Sequence, residues 1–277
     1  MKTNSTTCVV FLLLVIVLTV SCRKDSVTLN STFSAVEKCM EARPDSALKL
    51  LKAIPEPEEL SGKSQADYAL LMTQVMDKNF IKFSSDSLIN IALNYYTVDQ
   101  RNPLMYAKTQ FYYGRVLAEL NNQEDALKAF LAAKEIYDDT KEIKMQALIA
   151  EEIGMINRKQ EFNKDAMNNF QKSLALYNQI KDSVCLLNAY QNIARVYMLE
   201  NKIDSSALCL NKALDIARKM KHKLEASILR ELGVIYRSIG DFSKAEYYFL
   251  ASLDKETDKE YQYIGYLSIG FLLFRDG

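Results

Sequence analysis

The side chains that catalysis most often uses are sparse in this sequence and poorly spaced for it. His222 is the only histidine, so a Ser-His-Asp or Cys-His arrangement would have to use it. It lies in the basic run Arg218–Lys223, whereas a general base needs a sheltered site and an oriented partner. No glycine-rich phosphate loop precedes a predicted helix. We therefore predict that His222 lies in a solvated turn.

Glutamates offer a second kind of catalytic chemistry. Glu151 or Glu152, together with Glu119 or Glu231, would be the acid pair of a carbohydrate-acting hydrolase only if a groove sheltered them from water. Adjacent acids on one helix are more often charges that face solvent. We therefore predict that the protein is not an enzyme and uses no cofactor.

The five cysteines do not follow a metal-binding pattern. No Cys-x-x-Cys occurs, and a zinc site would need carboxylates beside the single histidine. Cys185 and Cys209 fall at the start of one predicted helix and midway along its partner, which places them about 10 Å or more apart and out of disulfide reach. We predict free, half-buried thiols and no metal site.

Charge and composition narrow the class of partner. Lys and Arg together number 35, as do Asp and Glu, whereas a nucleic-acid-binding domain usually carries a strongly basic face. The 16 tyrosines lack the basic companions that follow a phosphate backbone, and tyrosines are more often packing residues with a polar tip. We predict no direct binding of nucleic acid. Only 8 glycines and 4 prolines occur, which favours helices with short connections.

A close-packing pattern that recurs about every 40 residues organises the chain. In its first copy Gly114 precedes Leu117 on one predicted helix, and Ala126, Phe130 and Ala133 follow on the next. Small residues let two helices approach, and larger ones fill the space between neighbouring hairpins. The later copies have their markers at Gly154, Ala166, Phe170 and Ser173; Ala194, Tyr197, Ser206, Leu210 and Ala213; Gly233, Tyr236, Ala245, Phe249 and Ser252; and Ile269, Gly270 and Leu273.

This pattern resembles the tetratricopeptide repeat (TPR) family, which places Leu-Gly-x-x-Tyr on the first helix of each pair and Ala-x-x-x-Phe-x-x-Ala on the second. The resemblance covers Tyr106 to the end of the chain. It implies an all-α fold, a right-handed solenoid of stacked hairpins, with TPR repeats over residues 101–277 and the last one incomplete. The unit of 37–40 residues exceeds the usual length of about 34, so helices or turns should be longer.

The N-terminus has the features of a secretory signal. The apolar run from Cys8 to Val20 is shorter than the roughly 20 residues that span a bilayer, and Leu18–Cys22 resembles a bacterial lipobox. The resemblance implies that residues 1–22 are a signal peptide whose Cys22 becomes lipid-modified (a palmitate-type anchor), with 23–32 as a tether. The mature protein would then be a lipid-anchored membrane protein of the cell envelope, facing the periplasm or the exterior. An uncleaved anchor or a plain signal peptide are the alternatives.

Two degenerate helix pairs are predicted within residues 33–100. The first pair is Phe33–Ala42 and Asp45–Ile54, with Asp45 or Ser46 as the cap of its second helix. The second pair is Ser64–Asn79 and Asp86–Tyr96. Four segments, at 43–51, 68–71, 77–79 and 85–90, resemble the opening of envelope-anchored bacterial TPR proteins. That resemblance implies an alternative function, the sensor half of a membrane-linked transcriptional regulator or of a histidine-kinase-type signalling protein without its output domain.

The TPR resemblance also predicts a binding surface, because in that family the first helix of each pair lines the concave face. We expect a protein or peptide partner there, with arginines that bind an acidic segment through forked hydrogen bonds. The alternative is that these arginines pair with carboxylates on neighbouring helices. The predicted residues are Phe111, Arg115, Glu151, Met155, Arg158, Gln191, Arg195, Met198, Arg230, Val234 and Arg237.

The last predicted helix, from Tyr266 to Phe274, is apolar and has no partner helix in the sequence. A repeat buries its apolar side only against the next unit, so solenoids need a polar terminal cap. We expect either that the chain is a fragment of a longer protein or that a second copy covers this helix in a homodimer.

Overall fold

The computed structural model describes residues 28–99, 101–256 and 258–273, with side chains to residue 270. The predicted signal segment, Cys22 and the C-terminal residues 274–277 lie outside them. The described part consists of α-helices and one 3₁₀ turn (Pro57–Glu59), with no strand, which confirms the all-α prediction. The helices are α1 (28–40), α2 (Pro44–Lys52), α3 (Gly62–Lys78), α4 (Ser87–Val98), α5 (Pro103–Glu119), α6 (Gln123–Tyr137), α7 (Ile143–Lys159), α8 (Asn163–Ile180), α9 (Ser183–Leu199), α10 (Ile203–Met220), α11 (Glu225–Ser238), α12 (Phe242–Lys255) and α13 (Lys259–Leu273).

The chain forms two compact units, residues 1–133 and 134–277, with the boundary inside α6. In the first unit, α1, α2 and α3 share a core that includes Val36, Leu51 and Val75. The amide of Asn79 donates to the carbonyl of Pro44 at 2.9 Å and ties the end of α3 to the start of α2.

The local details of the first unit differ from the sequence expectation in two places. Pro44 occupies the first turn of α2 and Arg43 is its N-cap, so neither Asp45 nor Ser46 caps that helix. Proline suits this position because its missing N–H would have no partner in the helix anyway. Residues 28–32, the end of the predicted tether, belong to α1.

The glycine markers of the repeats lie where the two helices of a pair pack closely. A Cβ atom on Gly154 would lie 2.7 Å from Cε1 of Phe170, and one on Gly233 would lie 2.6 Å from the ring of Phe249. Only glycine fits beneath these buried rings. In the third copy, Ala194 carries a Cβ and its counterpart is the smaller Leu210, both fully buried. The size of one partner therefore compensates for the size of the other.

The close packing of the last helix falls at Gly265 and not at the predicted marker Gly270, so the predicted marker of the fifth copy was wrong. Gly265 on α13 is buried, and a Cβ atom there would lie 2.5 Å from Leu253 on α12. Gly270 has open space at its Cβ position, and Tyr263, Tyr266 and Leu267 are exposed. The covering of this face by a second copy stays a prediction. None of the described helices is both long and apolar enough to cross a bilayer.

Candidate functional site

A groove in the second unit lies among the first helices of three successive pairs, α7, α9 and α11, and the turn before α11. Its volume is about 370 Å³. The residues that line it are Glu151, Glu152, Met155, Asn188, Gln191, Asn192, Arg195, Leu224 and Ser227. Four of the predicted binding residues, at positions 151, 155, 191 and 195, are among them.

One side of the groove is held by the carboxylate of Glu151. Its Oε2 accepts a hydrogen bond of 2.7 Å from the hydroxyl of Tyr177 on α8, and its Oε1 accepts one of 2.8 Å from the amide of Asn192 on α9. Burial and the nearby Glu151 raise the pKa of Tyr177 far above its usual range. Its hydroxyl therefore stays protonated and donates. These bonds join two helix pairs through one charged group.

The other side is held by Glu231 on α11. Its Oε1 accepts from Nη2 of Arg195 at 2.6 Å and from the amide of Gln191 at 3.0 Å. Nη1 of Arg195 donates to Oδ1 of Asn192 at 3.4 Å. A connected row of polar groups, which we call the polar ladder, thus runs from Tyr177 through Glu151, Asn192, Arg195 and Glu231 to Gln191.

The predicted arginines divide into paired and unpaired groups. Nη1 of Arg230 lies 3.7 Å from Oε2 of Glu256, and its guanidinium lies over the ring of Tyr261 at 5.1 Å. Arg237 lies over the ring of Phe249 at 5.8 Å. In the first unit, Arg115 pairs with Asp77 at 2.7 Å.

Two of the predicted arginines, Arg158 and Arg237, form no ion pair with the described residues. Nε of Arg158 and Nη1 of Arg230 are buried without a hydrogen-bond partner. The carboxylate-pairing alternative therefore holds for Arg115, Arg195 and Arg230, and the binding of an acidic segment stays a prediction.

Comparison with known protein families identifies repeats in part of the chain. The family model described as Tetratricopeptide repeat matches residues 145–219, which run from α7 to the end of α10. Residues 145–219 therefore carry tetratricopeptide repeats.

Solved structures of helical-repeat proteins resemble this chain over most of its length. A Rap protein complexed with competence and sporulation factor has a TM-score of 0.69 at 15% identity, over 90% of this chain and 72% of that one. BtubC from P. vanneervenii has 0.59 at 14% identity, over 84% and 90%. Aspartyl phosphate phosphatase F from Bacillus subtilis has 0.60 at 17% identity, over 90% and 75%. At these identities the likeness shows the fold alone. No curated protein matches the sequence.

The apolar residues predicted for the binding face of the TPR repeats serve mainly as packing. Phe111 is 2% exposed and its ring packs 5.8 Å from that of Phe130, so it is a core residue. Met155, Met198 and Val234 are half-buried and pack on the cores of their own repeats. Met155 alone among these three also lines the groove.

Sequence reasoning missed part of the groove. Asn188, Asn192, Ser227 and Leu224 line it, and Tyr177 anchors the polar ladder from a second helix. Two adjacent polar side chains on one helix, at 191 and 192, are each only 4% exposed. Buried amides need partners, so polar residues just before the marker Ala194 were the available signal.

The other reactive residues hold structural positions. His222 lies in the turn between α10 and α11, as predicted, but is half-buried, and its Nδ1 accepts the N–H of Leu224 at 3.3 Å. Burial and Lys223 lower its pKa. Cys185 and Cys209 are free and half-buried, which confirms that prediction. In the described residues, no group of three or more His, Cys, Asp or Glu could hold a metal ion.

Proposed function

We propose that this TPR protein is a non-enzymatic scaffold that binds a protein or peptide partner in the groove of α7, α9 and α11. The observation that carries the proposal is the groove itself. Three successive first helices present side chains to one open space of about 370 Å³, and the polar ladder holds them in fixed positions. A preorganised surface binds more tightly, because less conformational freedom is lost on association.

The chemistry of the groove supports binding over catalysis. Both oxygens of Glu151 accept hydrogen bonds from Tyr177 and Asn192, and Glu231 is held by Arg195 and Gln191. A general acid must carry a proton and reach a substrate, and these carboxylates act instead as acceptors within the fold. In the first unit, Glu119 accepts the N–H of Phe83 at 3.2 Å.

We further propose that the scaffold is held at the bacterial cell envelope by a lipid on Cys22. The lipobox-like sequence that ends at Cys22 supports this anchor. A short segment separates Cys22 from α1, which starts by residue 28, so the repeats would lie close to the membrane surface.

A substitution that fills the groove with a large side chain tests the binding proposal. Asn188 lines the groove without a hydrogen bond to the described residues, so Asn188→Trp should block it and leave the polar ladder intact. The matched control is Gln171→Trp on the exposed side of α8. Envelope proteins that the wild type and the control retain, and that Asn188→Trp loses, are the expected result. Equal retention by all three proteins would contradict the proposal.

A further inference from the structure

The connection between α3 and α4 is longer than those within the later hairpins. It runs over residues 79–86, which we call the α3–α4 loop, whereas the connections α5–α6, α7–α8, α9–α10 and α11–α12 have three residues each. In a stack of similar repeats, extra residues within one repeat form surface loops that often serve binding. The α3–α4 loop is therefore an added surface on the first unit.

The loop begins with an unusual residue, Phe80, which has a left-handed backbone conformation with φ 55°. The N–H of Ile81 donates to the carbonyl of Met76 at 3.0 Å, and this bond ends α3 in a motif that usually has glycine or asparagine at the left-handed position. That conformation is unfavourable for a bulky side chain. The residues with positive φ at the same point of the later hairpins are Asn121, Glu161, Asn201 and Gly240. The turn itself therefore does not require an aromatic residue at position 80.

The loop holds its apolar side chains out in solvent. Phe80 is 85% exposed, and its neighbour Ile81 is 36% exposed. Further along, the N–H of Phe83 donates to Oε1 of Glu119 on α5 at 3.2 Å. Hydrogen bonds thus fix the backbone of the loop at Ile81 and at Phe83. The fold presents Phe80 and Ile81, which we call the apolar tip, in a defined position, and this lowers the entropic cost of a contact.

The apolar tip lies in the same unit as α1, the helix that follows the proposed anchor. The end of α3 meets the end of α1, since Nζ of Lys78 lies 2.8 Å from Oε1 of Glu41. Because α1 spans residues 28–40, the tip lies about 20 Å, one length of that helix, from residue 28. The segment from Cys22 to residue 28 reaches at most about 20 Å. The proposed lipid and the tip can therefore touch one bilayer together when α1 lies along its surface.

We propose that Phe80 and Ile81 insert into the boundary between headgroups and acyl chains of the bilayer that holds the anchor. The inference rests on the proposed anchor at Cys22 and is independent of the groove. Large apolar side chains favour this boundary, and membrane binding grows with the apolar area that they bury. An anchored chain with this second contact would hold its first unit in one orientation on the membrane.

Electrostatic attraction does not drive this contact. The loop carries one cation and one carboxylate, Lys82 and Asp86. The ion pairs beside it are Lys78–Glu41 and Arg115–Asp77, and the α5–α6 turn has Glu124 and Asp125 against Lys128. This end of the unit thus has no excess of positive charge for anionic lipids. The contact should therefore depend on apolar burial and persist at high salt.

The test reconstitutes the full chain into phosphatidylcholine vesicles with or without bromine atoms on the acyl chains, which quench tryptophan fluorescence on contact. The chain contains no tryptophan, so Phe80→Trp places a single reporter at the tip. The matched control is Phe162→Trp, which replaces an exposed phenylalanine in the α7–α8 turn. A third reporter, Ser84→Trp in the α3–α4 loop, is compared with and without Phe80→Asn. Fatty-acid labelling of each preparation reports on the anchor separately.

We expect strong quenching at position 80, little at position 162, and no dependence on salt concentration. Phe80→Asn should weaken the contact that the Ser84→Trp reporter measures about tenfold or more. It should keep or raise the unfolding temperature, because asparagine tolerates the left-handed conformation.

Equal quenching at positions 80 and 162, quenching that high salt abolishes, or a large drop in the unfolding temperature of Phe80→Asn would overturn the proposal. No quenching at position 80 in a chain that carries the fatty acid would overturn the membrane contact and leave the anchor standing. Quenching at position 80 in a chain without the fatty acid would remove the anchor and support the contact. Absence of both would contradict both.

Discussion

Replacing Gly154 by alanine tests the close-packing basis of the repeats. The new Cβ atom would lie 2.7 Å from Cε1 of Phe170, whose ring is fully buried, so the ring or the helices must shift. Overpacking a core costs about 1–3 kcal/mol, whereas alanine in place of glycine inside a helix gains about 1 kcal/mol. We expect a net loss of about 0–2 kcal/mol in the free energy of unfolding.

Two comparisons isolate the packing contribution. Gly270→Ala places the same methyl group in open space on α13 and should stabilise its helix by about 1 kcal/mol. Phe170→Leu in the Gly154→Ala background recreates the pair that the chain already uses at Ala194 and Leu210. The double mutant should therefore recover stability, with a coupling of about 0.5–3 kcal/mol.

The assay is urea unfolding followed by circular dichroism, on the wild type, the three single mutants and the double mutant. The reasoning is refuted if Gly154→Ala stabilises the protein as much as Gly270→Ala does. Strict additivity of the Gly154 and Phe170 substitutions would refute it equally, because it would mean that the two side chains do not share one space.

Three further predictions concern buried polar groups and the anchor. Tyr177→Phe should lower the free energy of unfolding by about 1–3 kcal/mol, because it removes a hydrogen-bond donor to the charged Glu151. The control Tyr137→Phe should be nearly neutral, because that hydroxyl makes no hydrogen bond to the described residues. Equal losses of stability in urea unfolding would contradict the role of Tyr177. Burial and Asp182 raise the pKa of Cys185 from 9.0 to about 12. Above about pH 9 the thiol is therefore deprotonated in the unfolded chain before it is in the folded one, and the free energy of unfolding should fall with rising pH. Cys185→Ala should flatten this pH dependence, and an unchanged slope would contradict the prediction. Cys22→Ala should leave an uncleaved precursor without lipid; unchanged electrophoretic mobility and fatty-acid labelling would exclude the anchor.

The repeat architecture could be predicted because its signal is local and recurs. Gly154 and Phe170 are both needed for one close approach, and the same pair of sizes returns at Gly233 and Phe249. A pattern that depends on the volumes of two residues within one hairpin survives changes elsewhere in the chain. The boundaries of the helices followed from turn residues, although Pro44 set the start of α2 in place of a polar cap.

The polar ladder could not be predicted, since its partners come from different helix pairs. Arg195 and Glu231 are 36 residues apart, and Glu151 and Asn192 are 41 apart. Which residue meets which depends on the offset between stacked hairpins, and no short spacing encodes that offset. The same reason explains why the pairing of Arg195 with Glu231 could not be assigned from the sequence. Phe111 was misplaced because the family rule fixes a helix face but not how deeply one side chain is buried.

The most direct test of the central claim is site-specific photo-crosslinking in living cells. A photoreactive phenylalanine derivative replaces Ser227, which lines the groove, or Asn168 on the exposed side of α8 as the control. The proposed function predicts a discrete cross-linked partner from position 227 that is absent from position 168 and is lost when Asn188→Trp fills the groove. Identical products from both positions, or a product from position 227 that Asn188→Trp leaves unchanged, would contradict it.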